Sequence, residues 1–311
     1  MGAQIRVYRR RIRSVQSTRK ITGAMQLIAG SRLGRARARL NSVRPYGDAI
    51  IRVTTTAVSQ VSVDHPLMHK RTNPRRAGIL VVTSDRGLAG AYSANVLRAV
   101  ASLEAELHER GMETVLYVVG RKGEGYYRFR NRRVEQSWSG MTESPTGDVA
   151  REIRDTLLDA YLRGASEEGH EAAAQGGPVA LDEIHVVATK FVNLLSQQVR
   201  LVKLMPLKVT EEVAPAEPQP LYDFEPDETS VLDAVLRRYV ASVIALALLE
   251  AAASESASRQ RAMKSATENA DELIRDLTRL ANEARQADIT TEINEIVGGA
   301  DALAAARSEF E

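Results

Sequence analysis

Between Asp227 and Val297 the chain has neither proline nor glycine, and this stretch restricts the fold more than any other feature. A continuous helix there would be roughly 100 Å long, longer than most single domains are wide. Within it, Met263, Ala266, Ala270, Leu273, Leu277, Leu280, Ala284 and Ala287 recur in steps of three and four. That sustained heptad seam commits one face to a partner helix and predicts a left-handed supercoil. Capping residues at Asp227–Thr229 precede Val231 and mark the start. Gly298-Gly299 is expected to stop it.

The opposite end of the chain supplies a matching partner. Ile5, Tyr8, Ile12, Val15, Ile21, Met25, Ile28, Leu33, Ala36 and Leu40 form one narrow stripe at helical spacing. Pro45 closes this pattern, because it disfavours helical geometry in the residue before it. The N-terminal helical segment as a whole is assigned to residues 1–60. Residues 1–44 carry twelve Arg or Lys and no acid, whereas residues 227–311 carry sixteen acids against nine bases. Opposite charges beside a seam favour pairing, but exposed pairs contribute only about 0–1 kcal/mol each, so packing must supply most of the stability.

The middle has a different texture. Short apolar runs at Ile79–Thr83, Val115–Val119 and Ile184–Ala188 alternate with helical patterns through Val96–Leu107 and Val149–Tyr161. Such alternation predicts an open, partly parallel α/β sheet over residues 76–210, with Val199–Leu204 as a last strand, parallel or antiparallel. Pro215, Pro218 and Pro220 mark a linker to the final helix, assigned to residues 227–311. The segment Gly164–Pro178, containing Glu167, Glu168 and His170, has almost no bulky apolar side chain. It is expected to be a mobile surface loop.

Several chemistries are poorly served. The absence of cysteine excludes disulfides, thiolate metal sites and cysteine nucleophiles. Val240–Ala253, the best membrane-span candidate, is interrupted by Glu250 and falls short of the roughly 20 residues required. Gly120-Arg-Lys-Gly123-Glu-Gly125 lacks the spacing of a dinucleotide fingerprint, and no phosphate-binding loop ends in Gly-Lys-Ser/Thr. Ser84-Asp85-Arg86-Gly87 has the position to hold an anion, but reads more simply as a turn in which Asp85 satisfies backbone donors. Asp64, His65 and His69 have metal-like spacing, yet Pro66 intervenes and no strong third ligand is near. The basic first helix suits RNA or an anionic membrane, although Tyr8 is its only aromatic before Tyr46.

Two motifs are more specific. Arg13-Ser-Val-Gln-Ser-Thr-Arg-Lys-Ile-Thr-Gly-Ala-Met25 resembles the amino-terminal signature of the gamma subunits of F-type ATP synthases. Ala262-Met-Lys-Ser-Ala-Thr-Glu-Asn-Ala270 and the run Ala284–Gly299 resemble the carboxy-terminal signature. Leu80–Leu88 and Leu236–Val240 fit as well, so the resemblance covers nearly the whole chain in order.

The resemblance implies an α/β fold class: a long antiparallel coiled coil of N- and C-terminal helices plus a central Rossmann-like open α/β domain. It implies a rotor shaft with alpha, beta, epsilon and c-ring subunits as partners. Such a shaft catalyses nothing and binds no cofactor directly; ATP, ADP and Mg are held elsewhere in the complex. The complex is peripheral to the membrane through its partners, on the cytoplasmic face, and no nucleic acid is involved. By similarity, Met25, Arg259, Arg285 and Gln286 are expected to contact beta subunits, and Arg suits acidic loops. The small residues of Ala251–Ser258 are expected to give the shaft a slim outer surface. Gly23 departs from the lysine common in this signature. The Gly164–Pro178 insertion is similar to that of actinobacterial forms and is a candidate regulatory element. The lack of cysteine excludes the dithiol switch of chloroplast forms.

Overall fold

The computed structural model describes residues 2–60, 65–68, 71–207, 222–225 and 227–308. Pro215, Pro218 and Pro220 therefore lie outside the described residues, as does the end of the segment 76–210. The chain divides into two compact units, residues 1–28 with 261–311 and residues 29–260.

The larger unit is organised by one five-stranded sheet. Its strands are β1 (Arg76–Val82), β2 (Glu113–Val119), β3 (Gln136–Trp138), β4 (Glu183–Phe191) and β5 (Gln197–Met205). The order is β3-β2-β1-β4-β5. All pairings are parallel except β4–β5, which is antiparallel. Parallel strands covered on both faces read as unbroken apolar runs, and every residue from Ala77 to Val82 is buried. Alternation sends Leu80 and Val82 into one core and Ile79 and Val81 into the other.

Helix α2 (Tyr92–Glu109) fills the second core with Val96, Val100, Leu103 and Leu107. The first core takes Ile153, Leu157 and Tyr161 of α4 (Gly147–Arg163), together with Leu232, Leu236, Val240, Ile244 and Leu248 of the last helix. Two short helices complete the unit, α3 (Arg121–Phe129) and α5 (Glu167–Ala174). The linking turn into α3 needs Gly120, whose φ is 95° and where a Cβ would stand 2.5 Å from the Thr83 carbonyl oxygen.

The terminal helices are α1 (Gly2–Gln60) and α6 (Glu228–Ser308). Two expected stops are overridden. Pro45 lies inside α1, where Gly47 packs so tightly on Leu246 that a Cβ would come within 2.5 Å of its Cδ1. Arg44, just before the proline, is held by Glu250 at 2.9 Å. Tertiary packing here outweighs the hydrogen bond that proline removes. Helix α6 likewise passes through Gly298-Gly299. Glycine weakens a helix by about 1 kcal/mol without forbidding it, and the Ala-rich residues that follow are strong helix formers. The expected start holds: Asp227 accepts hydrogen bonds from the Ser230 backbone N–H (2.9 Å) and hydroxyl (2.7 Å).

Candidate functional site

In the unit of residues 1–28 and 261–311, the Thr22 and Thr267 hydroxyls meet at 2.7 Å, and Arg19 pairs with Asp271. These contacts fix an antiparallel register. Met263, Ala270 and Leu277 are buried, as the heptad predicts. The second line of the seam holds at half-buried Ala266 and Leu280 but shifts by one residue at Leu273. Leu273 is 46 % exposed while Ile274 is half-buried in its place. On α1 the same displacement occurs: Thr22 is buried, whereas Ile21 and Ile28 are more than half exposed.

The register brings the start of α1 opposite the stretch just before Ile289, so α6 continues past its partner. There Ile289, Ile293, Ile296 and Val297 are all exposed. Leu27, beside half-buried Met25, is 77 % exposed. Large apolar side chains grouped on a surface mark contact with other proteins. Arg285 and Gln286 are exposed on α6. Met25 falls near the Met263–Thr267 turn, so the structure does not bring it together with that pair. Sequence periodicity missed the exposed isoleucines; the signal was that the C-terminal helix outlasts its partner.

Arg259 belongs to the larger unit and is 7 % exposed. Its guanidinium donates to Glu255 Oε1 (2.6 Å) and to the backbone oxygens of Arg86 (3.2 Å) and Gly87 (3.3 Å). Glu143 approaches it at 3.6 Å and also pairs with Arg32 of α1. Burial pushes the Glu255 carboxyl up against the pull of Arg259. Arg259 is thus held inside this chain, between α6 and the loop after β1. The slim surface expected from Ala251–Ser258 is corrected: Ala251 to Ala257 are each at most 3 % exposed. Their small side chains admit close neighbours, including Tyr92, whose hydroxyl donates to the Ala251 carbonyl at 3.3 Å.

The Gly164–Pro178 insertion is not an unstructured loop. Ser166 caps α5 by accepting the Gly169 N–H at 3.1 Å. Gly164 lies so close to Leu181 that a Cβ would come within 2.1 Å of its carbonyl oxygen. Glu167 pairs with Arg75 at 3.0 Å, and His170 Nε2 lies 3.0 Å from Asp182 Oδ1. Glu168 and Pro178 are exposed. The overlooked signal was a serine followed by two acids and an alanine run, a helix start.

The other chemical candidates resolve into structural roles. Asp85 accepts the backbone N–H of Arg121 (3.2 Å) and of Thr142 (3.0 Å). Burial alone would raise its carboxyl, but backbone donors at Gly140, Thr142 and Arg121 outweigh that and lower it. Gly123 packs on Thr83, whose hydroxyl accepts its N–H at 2.9 Å. His65 Nδ1 accepts the Leu67 N–H at 3.2 Å; Asp64 and His69 lie outside the described residues. Among the described residues no acidic or histidine cluster could hold a metal ion, and no helix is long and apolar enough to cross a membrane. Several bases of α1 are matched by carboxylates, Arg19 with Asp271, Arg32 with Glu143 and Arg44 with Glu250, which gives no support to a phosphate-binding adaptor.

A pair of terminal helices with large apolar side chains exposed, in one chain with an α/β body, suits a subunit of a larger complex. The chain matches the family model described as ATP synthase over residues 4–303, and it belongs to that family. It is 53 % identical over 310 residues to the ATP synthase gamma chain of Mycolicibacterium vanbaalenii, covering 99 % of this chain and 100 % of the relative. A protein of the same name from Acidothermus cellulolyticus is 53 % identical over 313 residues, covering 99 % and 100 %. Among solved structures, a chain of the Euglena gracilis mitochondrial ATP synthase rotor aligns with a TM-score of 0.65 at 17 % identity, covering 93 % of this chain and 100 % of that one. At that identity the likeness concerns the fold.

Proposed function

We propose that this chain is the central shaft of a proton-driven ATP synthase, the gamma subunit. Its full-length relatives carry that name. The observation that carries the reading is the antiparallel pair of residues 1–28 and 261–311, whose outward isoleucines and leucines suit a surrounding sleeve of other subunits. Residues 1–28 and 261–311 contain no proline, so this part of the pair resists bending, and stiffness is what transmission of torque demands.

In this reading the partners are the alpha and beta subunits, epsilon and the c ring. Met25, Arg285 and Gln286 contact the beta subunits. ATP, ADP and Mg bind in the partners, and this chain carries out no chemistry itself. The complex sits on the cytoplasmic face of the plasma membrane, reached through its partners. The insertion carrying α5 restrains ATP hydrolysis by touching the c ring or epsilon; its outward Glu168 and Glu171 suit a basic surface. Reconstitution tests the reading: alpha and beta subunits gain steady ATP hydrolysis when this chain is added. Equal rates with and without it overturn the proposal.

A further inference from the structure

We propose that His170 is the positioning residue that docks α5 onto the sheet, and that this docking is what allows the insertion to act as a brake. The inference rests on the reading of the insertion as a restraint on hydrolysis. Helix α5 has no large apolar side chain with which to hold itself: its sequence is Glu-Glu-Gly-His-Glu-Ala-Ala-Ala. His170 is its one buried residue, 8 % exposed. The ring reaches Asp182, which is 2 % exposed. The other oxygen of that carboxylate accepts the backbone N–H of Arg75 (2.7 Å) and Arg76 (2.9 Å), and Arg76 begins β1. The Asp182 N–H in turn donates to the Arg76 carbonyl at 2.8 Å.

One carboxylate therefore ties the insertion to the edge of β1 and the approach to β4. The remaining tethers are weaker. Arg75–Glu167 is solvent-exposed on both sides, and such pairs contribute little. Arg163 donates to the Val179 carbonyl at 3.0 Å, outside α5 itself. Gly169 lets the first turn press on the end of α4, since a Cβ there would stand 2.0 Å from the Arg163 carbonyl oxygen. That contact shapes the approach but supplies no attraction. A buried hydrogen bond to a carboxylate is far stronger than an exposed pair, so the position of α5 is concentrated in one imidazole.

The test compares four versions of the reconstituted complex: unaltered, His170→Ala, His170→Gln, and deletion of 165–177. Hydrolysis of ATP and amide exchange over 167–174 are both read. The deletion raises hydrolysis. His170→Ala raises it to a similar level and speeds exchange about tenfold, as loss of one buried charge-assisted hydrogen bond requires. His170→Gln, whose amide nitrogen can stand where Nε2 stood, restores both. Should the alanine variant fold poorly, His170→Asn keeps a polar side chain too short to reach Asp182 and must behave like alanine. Raised hydrolysis on deletion with unaltered hydrolysis in His170→Ala or His170→Asn overturns the positioning role while leaving the brake intact. No rise on deletion removes the brake, and the inference with it.

Discussion

The body of residues 29–260 and the helix pair of residues 1–28 with 261–311 bury different materials. The body encloses Leu, Ile, Val and Tyr on both faces of its sheet, many with no exposure at all. The pair closes on Thr22, Met263, Ala270 and Leu277, and leaves Ile21, Leu27, Ile28, Ile289, Ile293 and Ile296 outside. The body also leaves Phe129 and Leu195 exposed, but the pair leaves a larger share of its large apolar side chains outside, as suits contact with other chains.

This contrast can be broken first at the buried charges. Glu183, nearly fully buried, is held by His185 at 3.0 Å, Arg110 at 2.6 Å and Lys203 at 2.7 Å. Glu183→Ala should cost roughly 3 kcal/mol in chemical unfolding, because it strands buried partners. Arg19→Ala, at a pair about half exposed in the helix unit, should cost no more than about 1 kcal/mol. Equal costs would erase the distinction.

Packing gives the next largest effect. A Cβ at Gly78 would lie 2.6 Å from Leu181 Cδ1, whereas nothing stands within 4 Å of one at Gly23. Gly78→Ala should destabilise by about 1–3 kcal/mol through overpacking. Gly23→Ala should instead stabilise its helix by up to about 1 kcal/mol. Thermal unfolding of the two variants reads both signs.

Acid titration sharpens the comparison further. Burial of Glu183 would raise its carboxyl, but hydrogen bonds from His185, Arg110 and Lys203 outweigh this and hold it well below the usual glutamate range. Its contribution is therefore full above the unfolded-state value and is lost as pH falls through the folded one. Glu250 and Glu255 are pushed up by burial against nearby arginines, so their protonation on acidification works the other way. Glu183→Gln should flatten the loss of stability below the ordinary glutamate range, measured as melting temperature against pH. The smallest effect on the isolated chain belongs to Ile293→Ser, within about 0.5 kcal/mol as an exposed position, although it should weaken assembly with alpha and beta subunits.

The sequence made the large elements legible because they rest on long periodicities: two terminal helices, the buried strands, and the last strand. The errors have physical causes. Pro45 and Gly298-Gly299 are stops by local propensity, but packing and neighbouring alanines carry the helices through them. Ile274 replaced Leu273 in the seam because a one-residue displacement keeps the same period. Nothing local reveals that Glu255, four residues before Arg259, and the distant Glu143 will enclose it. The insertion hides a helix whose buried anchor, Asp182, lies beyond its end.

The central claim is that both ends of the chain turn as one body inside other subunits. The chain has no cysteine, so Thr22→Cys with Thr267→Cys adds the only thiols, at positions whose hydroxyls lie 2.7 Å apart. The account predicts that oxidation joins them and that the joined chain, assembled with alpha and beta subunits, hydrolyses ATP at the unlinked rate. Thiols that fail to join, or a link that halts turnover, would contradict it.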